Sequence, residues 1–305
     1  MSLVGLIVLT ALPHSVSKIA ANEMSTPVVQ AEATTTSPKP DYFEPLVLDA
    51  HSVIVYDITH QKVLFERDAT STRPLASLTK IMTAITATNM TSSSTVITIG
   101  KNDLAEEGDS GLLPDEKWTL AALLKYSLVV SSNDGAAAVA NALGSASDTL
   151  DASTSQSNAV FIAKMNERAQ MLGLKNSVFF NSTGLDESAT RAGAYGSATD
   201  VAKMLVYAIN NQLDIFEATS KPTIAINSLD NISHTGINTD TDVAKIPGLI
   251  AGKTGYTDLA GGNLAVVFDA NSHDKIVVVV LGSGYDSRFT DVEKLSAAAV
   301  KTVSH

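Results

Sequence analysis

The sequence predicts an α/β protein of the α+β type: an antiparallel sheet flanked by helices, with an all-helical lobe inserted into it. β-prone runs stand near Ser52 and again after Pro247, while the stretch between them changes to three- and four-residue apolar spacing. The late strands are joined by hairpin-like links, which belong to antiparallel sheets. The 305 residues are 45% hydrophobic and 17% charged, enough for one large core or two packed subdomains.

Each element has its own signal. Leu3 to Leu12, LVGLIVLTAL, is uncharged and apolar, too short to span a bilayer, which needs about 20 residues, but suited to the h-region of a secretory signal. Only Met1 and Ser2 precede it, so the basic n-region of a signal is missing, and a short buried helix is the other reading. We take residues 1–24 as a signal peptide or membrane anchor and the Ser/Thr/Pro-rich residues 25–42 as a flexible linker, because they have little to bury. The expected location is then outside the cytoplasm, at the outer face of a membrane or in the cell wall or periplasmic space. Folded sequence, residues 43–305, begins near Phe43. SVIVYDI and KVLFE, separated by Thr59, His60 and Gln61, read as a hairpin.

From Ser77 to about Leu213 the helical pattern dominates: SLTKIMTAITATN, TLAALLKYSLVV, DGAAAVANAL, NAVFIAKMNERAQMLG and ATDVAKMLVYAINN, several starting at a residue that can cap them. After Pro247 come the strands GLIAGKTG, NLAVVFDA and KIVVVVLGS, with NSHD as a turn, and then the helix FTDVEKLSAAAVKTV. If the early and late strands pair, the result is one sheet with a cleft against the helical lobe, the usual place for a small ligand.

Composition removes several functions. With 21 Lys and Arg against 32 Asp and Glu the net charge is -11, which disfavours nucleic acid as a partner. No cysteine is present, so disulfides, thiol nucleophiles and Cys-ligated metals are excluded. His14, His51, His60, His234, His273 and His305 have no ligand spacing, so we expect neither a metal nor a cofactor.

Ser77 and Lys80 are three residues apart at a helix start, on one face, where the amine can reach the hydroxyl. A serine becomes a nucleophile when a base takes its proton, and a lysine is such a base once its pKa falls far below about 10.4, through desolvation or a second cation nearby. The spacing alone is weak, because Ser15–Lys18 and Ser272–Lys275 share it, and a capping serine beside a solvated lysine would look the same. Two further stretches add weight: Ser131-Ser132-Asn133 between two helices, and Lys253-Thr254-Gly255 on a strand, each spacing occurring once. Ser-x-x-Lys, Ser-x-Asn and Lys-Thr-Gly in this order are the signature of penicillin-binding proteins and class A β-lactamases.

Between Pro45 and Arg288 the chain resembles the low-molecular-mass penicillin-binding proteins, the serine D-alanyl-D-alanine carboxypeptidases. PLASLTKIMTA, SSNDGAAAVA, FIAKMNERAQMLGLKNSVFFNSTGLD, SATDVAKML and GKTGYTDLAGGNL carry the likeness. It implies a β-lactamase/transpeptidase-like fold, with Ser77 as nucleophile, Lys80 as base, Ser131 as proton relay and Asn133 as holder of Lys80 and of the substrate amide. Lys253 would lower the pKa of Lys80 by repulsion and, with Thr254, receive the substrate carboxylate. Gly255, Tyr256 and Thr257 would line the same wall, Arg288 would add a positive charge, and the backbone N–H groups of Ser77 and Tyr256 would form the oxyanion hole. The implied partners are peptidoglycan stem peptides ending in D-Ala-D-Ala and β-lactams. Two departures stand out: Ser132 replaces a Gly or Asp, and Tyr256 replaces a common His. A D,D-endopeptidase is the near alternative. A class A-like β-lactamase would need a deacylating glutamate, and NSTGLDESATRAG offers Glu187 without the Glu-x-x-x-Asn pattern.

Overall fold

The computed structural model describes residues 41–145 and 154–304. The chain divides into two units, residues 1–40 and 41–305, and the first lies outside the described residues, together with the signal segment and nearly all of the linker. Among the described residues no helix is long and apolar enough to cross a membrane. Phe43 is buried and stacks on Phe65 with centroids 5.1 Å apart, so packing starts where the apolar pattern does.

The predicted hairpin is present as β1 (Ser52–Asp57) and β2 (Lys62–Arg67). Through β3 (Arg73–Pro74) and one 3-10 turn, Ala76–Leu78, the chain enters α1 (Thr79–Met90). Every residue of α1 from Thr79 to Ala87 is buried, so this helix lies inside the lobe rather than on its surface. Thr79, Thr83 and Thr88 of this helix donate to local or loop carbonyls, Thr83 Oγ1 to Ser182 O at 2.7 Å, while the buried Thr86 hydroxyl has no hydrogen-bond partner.

The inserted lobe is not wholly helical, which corrects the expectation. β4 (Val96–Thr98) pairs with β5 (Lys117–Thr119) ahead of α2 (Leu120–Val130), α3 (Asn133–Ser145) and α4 (Thr154–Met171). β6 (Val178–Phe179) and β7 (Ala194–Gly196) form a small sheet with β3, and α5 (Ala198–Asn211) and α6 (Leu213–Phe216) follow. Strands of two or three residues are too short to show a period of two in sequence. The hairpin of β8 (Thr223–Asn227) and β9 (Ser233–Ile237) was not foreseen either. It docks on α2 through buried His234, which lies 2.7 Å from Glu116 and packs against Trp118 and Tyr126.

The last strands are β10 (Leu249–Thr257), β11 (Gly261–Asp269) and β12 (Lys275–Ser283), and α7 (Ser287–Val303) ends the fold. The main sheet has the order β10-β11-β12-β1-β2 and is antiparallel throughout, so the early and late strands do pair. Val277, Val279 and Leu281 join a core shared with the lobe, whereas Ile276, Val278 and Val280 join one under α7. That double burial explains the unbroken apolar run of β12.

At the β1–β2 turn His60 Nδ1 lies 2.8 Å from Asp57 Oδ2 and 3.5 Å from Asp274 Oδ1. The histidines are therefore not all isolated as their spacing suggested; the sheet register brings this one to two carboxylates from separate turns.

Candidate active site

Ala76, just before Ser77, adopts a left-handed φ of 47°, unusual for a residue with a Cβ. The bend leaves Ser77 half-buried in the 3-10 turn. Neither that turn nor α1 has a side-chain cap, so Ser77 is not a capping serine. Its Oγ lies 2.9 Å from Lys80 Nζ. The loop at Gly184 packs directly on the bend: with φ at +84°, a Cβ there would stand 1.9 Å from Ala76 O.

Lys80 has two other partners, Asn133 Oδ1 at 2.6 Å and Thr183 O at 2.8 Å. The Asn133 amide cannot be turned around without loss, because its Nδ2 donates to Glu107 O at 2.6 Å. A neutral amine has two protons and one lone pair. With both protons committed to the Asn133 and Thr183 oxygens, the lone pair is left for the Ser77 hydroxyl. Burial lowers the Lys80 pKa to about 7, against an opposing pull from Glu106. Burial is thus the principal cause, the first of the two that sequence reasoning left open.

Ser131 ends α2 in the left-handed region, φ 59°, and its Oγ accepts from Lys253 Nζ at 2.9 Å. Ser132 caps α3 by accepting from Gly135 N at 2.9 Å, and it also meets Ser110 Oγ at 2.7 Å. The middle serine of Ser-Ser-Asn therefore carries the cap, and Asn133 remains free to hold Lys80.

β10 supplies the facing wall. Lys253 is 2% exposed, far from a solvated strand lysine, and its pKa falls well below the ordinary value through burial first, then repulsion from Lys80 and Arg288. Thr254 Oγ1 shares a hydrogen bond of 2.6 Å with Thr239 Oγ1. A Cβ on Gly255 would lie 3.2 Å from Ser77 N, so glycine lets the strand pass close to the Ser77 backbone. Arg288 stands on the first turn of α7, buried, and donates from Nη1 to Gly255 O at 3.0 Å. Tyr256 is exposed and meets Tyr285 edge to face at 4.9 Å. Thr257 is turned away from this role: its hydroxyl donates to Asp186 Oδ1 at 3.0 Å and accepts from Ala260 N at 3.2 Å. Ser77, Lys80, Ser131, Asn133, Lys253 and Gly255 are thus linked by contacts, and Thr254 and Arg288 adjoin them on the β10 side.

The family model described as D-alanyl-D-alanine carboxypeptidase matches residues 34–284. The chain belongs to the D-alanyl-D-alanine carboxypeptidase family. It is a serine-type carboxypeptidase of the low-molecular-mass penicillin-binding class. Among its relatives is the D-alanyl-D-alanine carboxypeptidase DacB2 of Mycobacterium tuberculosis, 30% identical over 213 residues, 69% of this chain and 67% of that one. A D-alanyl-D-alanine endopeptidase of Haemophilus influenzae is 30% identical over 271 residues, covering 82% and 83%. Penicillin-binding protein D2 of Listeria monocytogenes, solved in its ampicillin-bound form, superposes with a TM-score of 0.67 at 26% identity over 83% of this chain and 98% of that one.

Several groups of the carboxypeptidase site escaped sequence reasoning. Thr183 acts through its carbonyl, and a backbone atom leaves no mark on residue type. Glu106, whose charge reaches Lys80, sits in a loop between β4 and β5 with no motif of its own. Glu187, the glutamate weighed from sequence, instead pairs with Arg191 at 3.1 Å.

Proposed function

We propose that this carboxypeptidase removes the terminal D-alanine of peptidoglycan stem pentapeptides through an acyl-enzyme on Ser77. The observation that carries the reading is the three-way coordination of Lys80 Nζ by Ser77 Oγ, Asn133 Oδ1 and Thr183 O at 2.9, 2.6 and 2.8 Å. Neutral Lys80 takes the Ser77 proton, and Oγ attacks the carbonyl carbon between the two D-alanines. The oxyanion forms against the backbone N–H groups of Ser77 and Tyr256. When the C–N bond breaks, the leaving nitrogen takes a proton relayed by Ser131, D-alanine departs, and water hydrolyses the ester.

Lys253, Thr254 and Arg288 form the positive wall that receives the substrate carboxylate; Tyr256 borders it. β-lactams present a carboxylate beside a strained amide, so they enter the same path and stop at the ester. Cell-wall substrate places the enzyme outside the cytoplasm, which suits the reading of residues 1–24 as an export or anchoring segment and 25–42 as a tether to the catalytic domain, 43–305. Cleavage of crosslinked peptides is a second reading, supported by the likeness to the endopeptidase.

An intact-mass time course with benzylpenicillin tests the assignment. A lasting adduct on the wild type, absent from Ser77→Ala, is expected. Rapid turnover of penicillin without an adduct would make the protein a β-lactamase, and no reaction at all would overturn Ser77 as nucleophile.

A further inference from the structure

Tyr256 and Tyr285 differ from the other aromatic side chains. They are 46% and 58% exposed, whereas every other Phe, Tyr and Trp among the described residues is buried or half-buried. The two rings also touch, edge to face with centroids 4.9 Å apart, although Tyr256 comes from β10 and Tyr285 from the turn between β12 and α7. Apolar side chains exposed singly are ordinary on a protein surface, but an aromatic pair in contact beside an active site calls for an occupant.

Backbone packing holds the pair in place. Gly262 stands opposite Tyr256 in the β10–β11 register, and a Cβ on it would collide with Gly284 O, so its bare backbone admits the Gly284–Tyr285 turn over this end of the sheet. Arg288, on the first turn of α7, lies against the Tyr285 ring with Cζ 4.6 Å from the centroid, while its Nη1 donates to Gly255 O at 3.0 Å. Thr254 and Tyr256 are two residues apart on β10, so their side chains share a face. That face is the one α7 covers, because Leu264, opposite Thr254, belongs to the core beneath this helix. Thr254, Arg288 and the two rings therefore lie on one side of β10, which is the edge strand of the main sheet.

The carboxylate and the side chain of a leaving residue hang from the same α-carbon. With the carboxylate at Thr254 and Arg288, as in the function proposed above, on which this inference rests, the side chain falls within reach of both rings. We infer that Tyr256 and Tyr285 form a subsite for the side chain of the leaving D-residue, one that suits an extended aliphatic chain better than the methyl of D-alanine. The rings offer apolar surface, and their exposed outer edge sets no limit on length. A D-residue through which two stem peptides are joined carries such a chain, so the subsite fits the second reading given above.

Two peptides that differ only in ending in D-Ala-D-Ala or in D-Ala-D-norleucine test this. The wild type should release D-norleucine at least as efficiently as D-alanine. Each methylene laid on a ring adds a few-fold to binding, so Tyr285→Ala should lower the ratio of kcat/KM for D-norleucine over D-alanine by about tenfold, chiefly through KM. Tyr285→Phe keeps the ring and should leave the ratio within about twofold of wild type. If Tyr285→Ala acts only by disturbing Arg288, both peptides suffer together and the ratio stays where it was. A wild type that favours D-alanine, a ratio unmoved by Tyr285→Ala, or one that falls as far in Tyr285→Phe would overturn the inference. Should Tyr285→Ala not fold, the wild-type preference decides alone. Penicillin acylation and release of D-alanine by the wild type separate the two levels: without them the proposed function fails, and with them an unmoved ratio removes the subsite alone.

Discussion

Lys80 can serve as a base because burial removes the water that would stabilise its ammonium form, while Asn133 and Thr183 hold whatever protons it keeps. The sign of the pH dependence follows. Below about pH 7 Lys80 is protonated and its lone pair is gone, so acylation by benzylpenicillin should rise with pH through about 7 and then level off. Stopped-flow acylation rates from pH 5 to 8.5 check this; a profile flat across that range would contradict it. Asn133→Ala removes the acceptor that orients the amine and should slow acylation by about 100-fold or more, with little change in melting temperature. At this scale sequence reasoning named Ser77, Lys80 and Asn133, which the structure brings into contact, but could not choose between the causes. It left desolvation and a second cation open as causes of a lowered Lys80 pKa, and depth of burial, which no motif encodes, is the larger effect.

Elements bring these side chains together by being pressed close, and two positions show how little slack they have. Gly184 is held at a φ of +84° with Ala76 O where its Cβ would be. Gly184→Ala should cost at least about 2 kcal/mol and also reduce acylation, because the Thr183 carbonyl moves with it. Chemical denaturation together with penicillin uptake measures both; a stable and active variant would show the loop to be loose. In the sheet, Leu281 of β12 is fully buried in the core shared with the lobe, and Leu281→Ala should lower stability by about 2–5 kcal/mol without altering the pH profile. Long helices and long strands were legible in sequence because their periods repeat. β3 to β7 were not, since two or three residues cannot display a period, and the β8–β9 hairpin is defined by its contact with Trp118 and Tyr126 rather than by its own pattern.

For the molecule as a whole, the pairing of β1 with β12 closes the chain on itself: Ser52 stands opposite Leu281, and Asp57 opposite Ile276. The inserted lobe is thereby held against the sheet, and the site lies where β10 meets the ends of α2 and α3. If residues 1–40 serve only for export and tethering, a chain of residues 41–305 should melt within about 2 °C of the full chain and take up penicillin at the same rate. Calorimetry with mass spectrometry tests this, and a large drop in either would make the N-terminal residues part of the catalytic unit.

By itself the sequence determined the class of chemistry, because Ser-x-x-Lys, Ser-x-Asn and Lys-Thr-Gly stand in it in the order that marks the serine D-alanyl-D-alanine carboxypeptidases. It also indicated an antiparallel sheet, through the hairpin-like links between the late strands, while the pairing of early with late strands stood as a condition that the register of β1 on β12 met. Only the tertiary structure decided which charges these side chains feel. Burial of Lys80, the carbonyl of Thr183 that it meets and the turning of Thr257 toward Asp186 arise from segments far apart in the chain. Electrostatic energy depends on distance and on exclusion of water, and neither is written in the order of the residues.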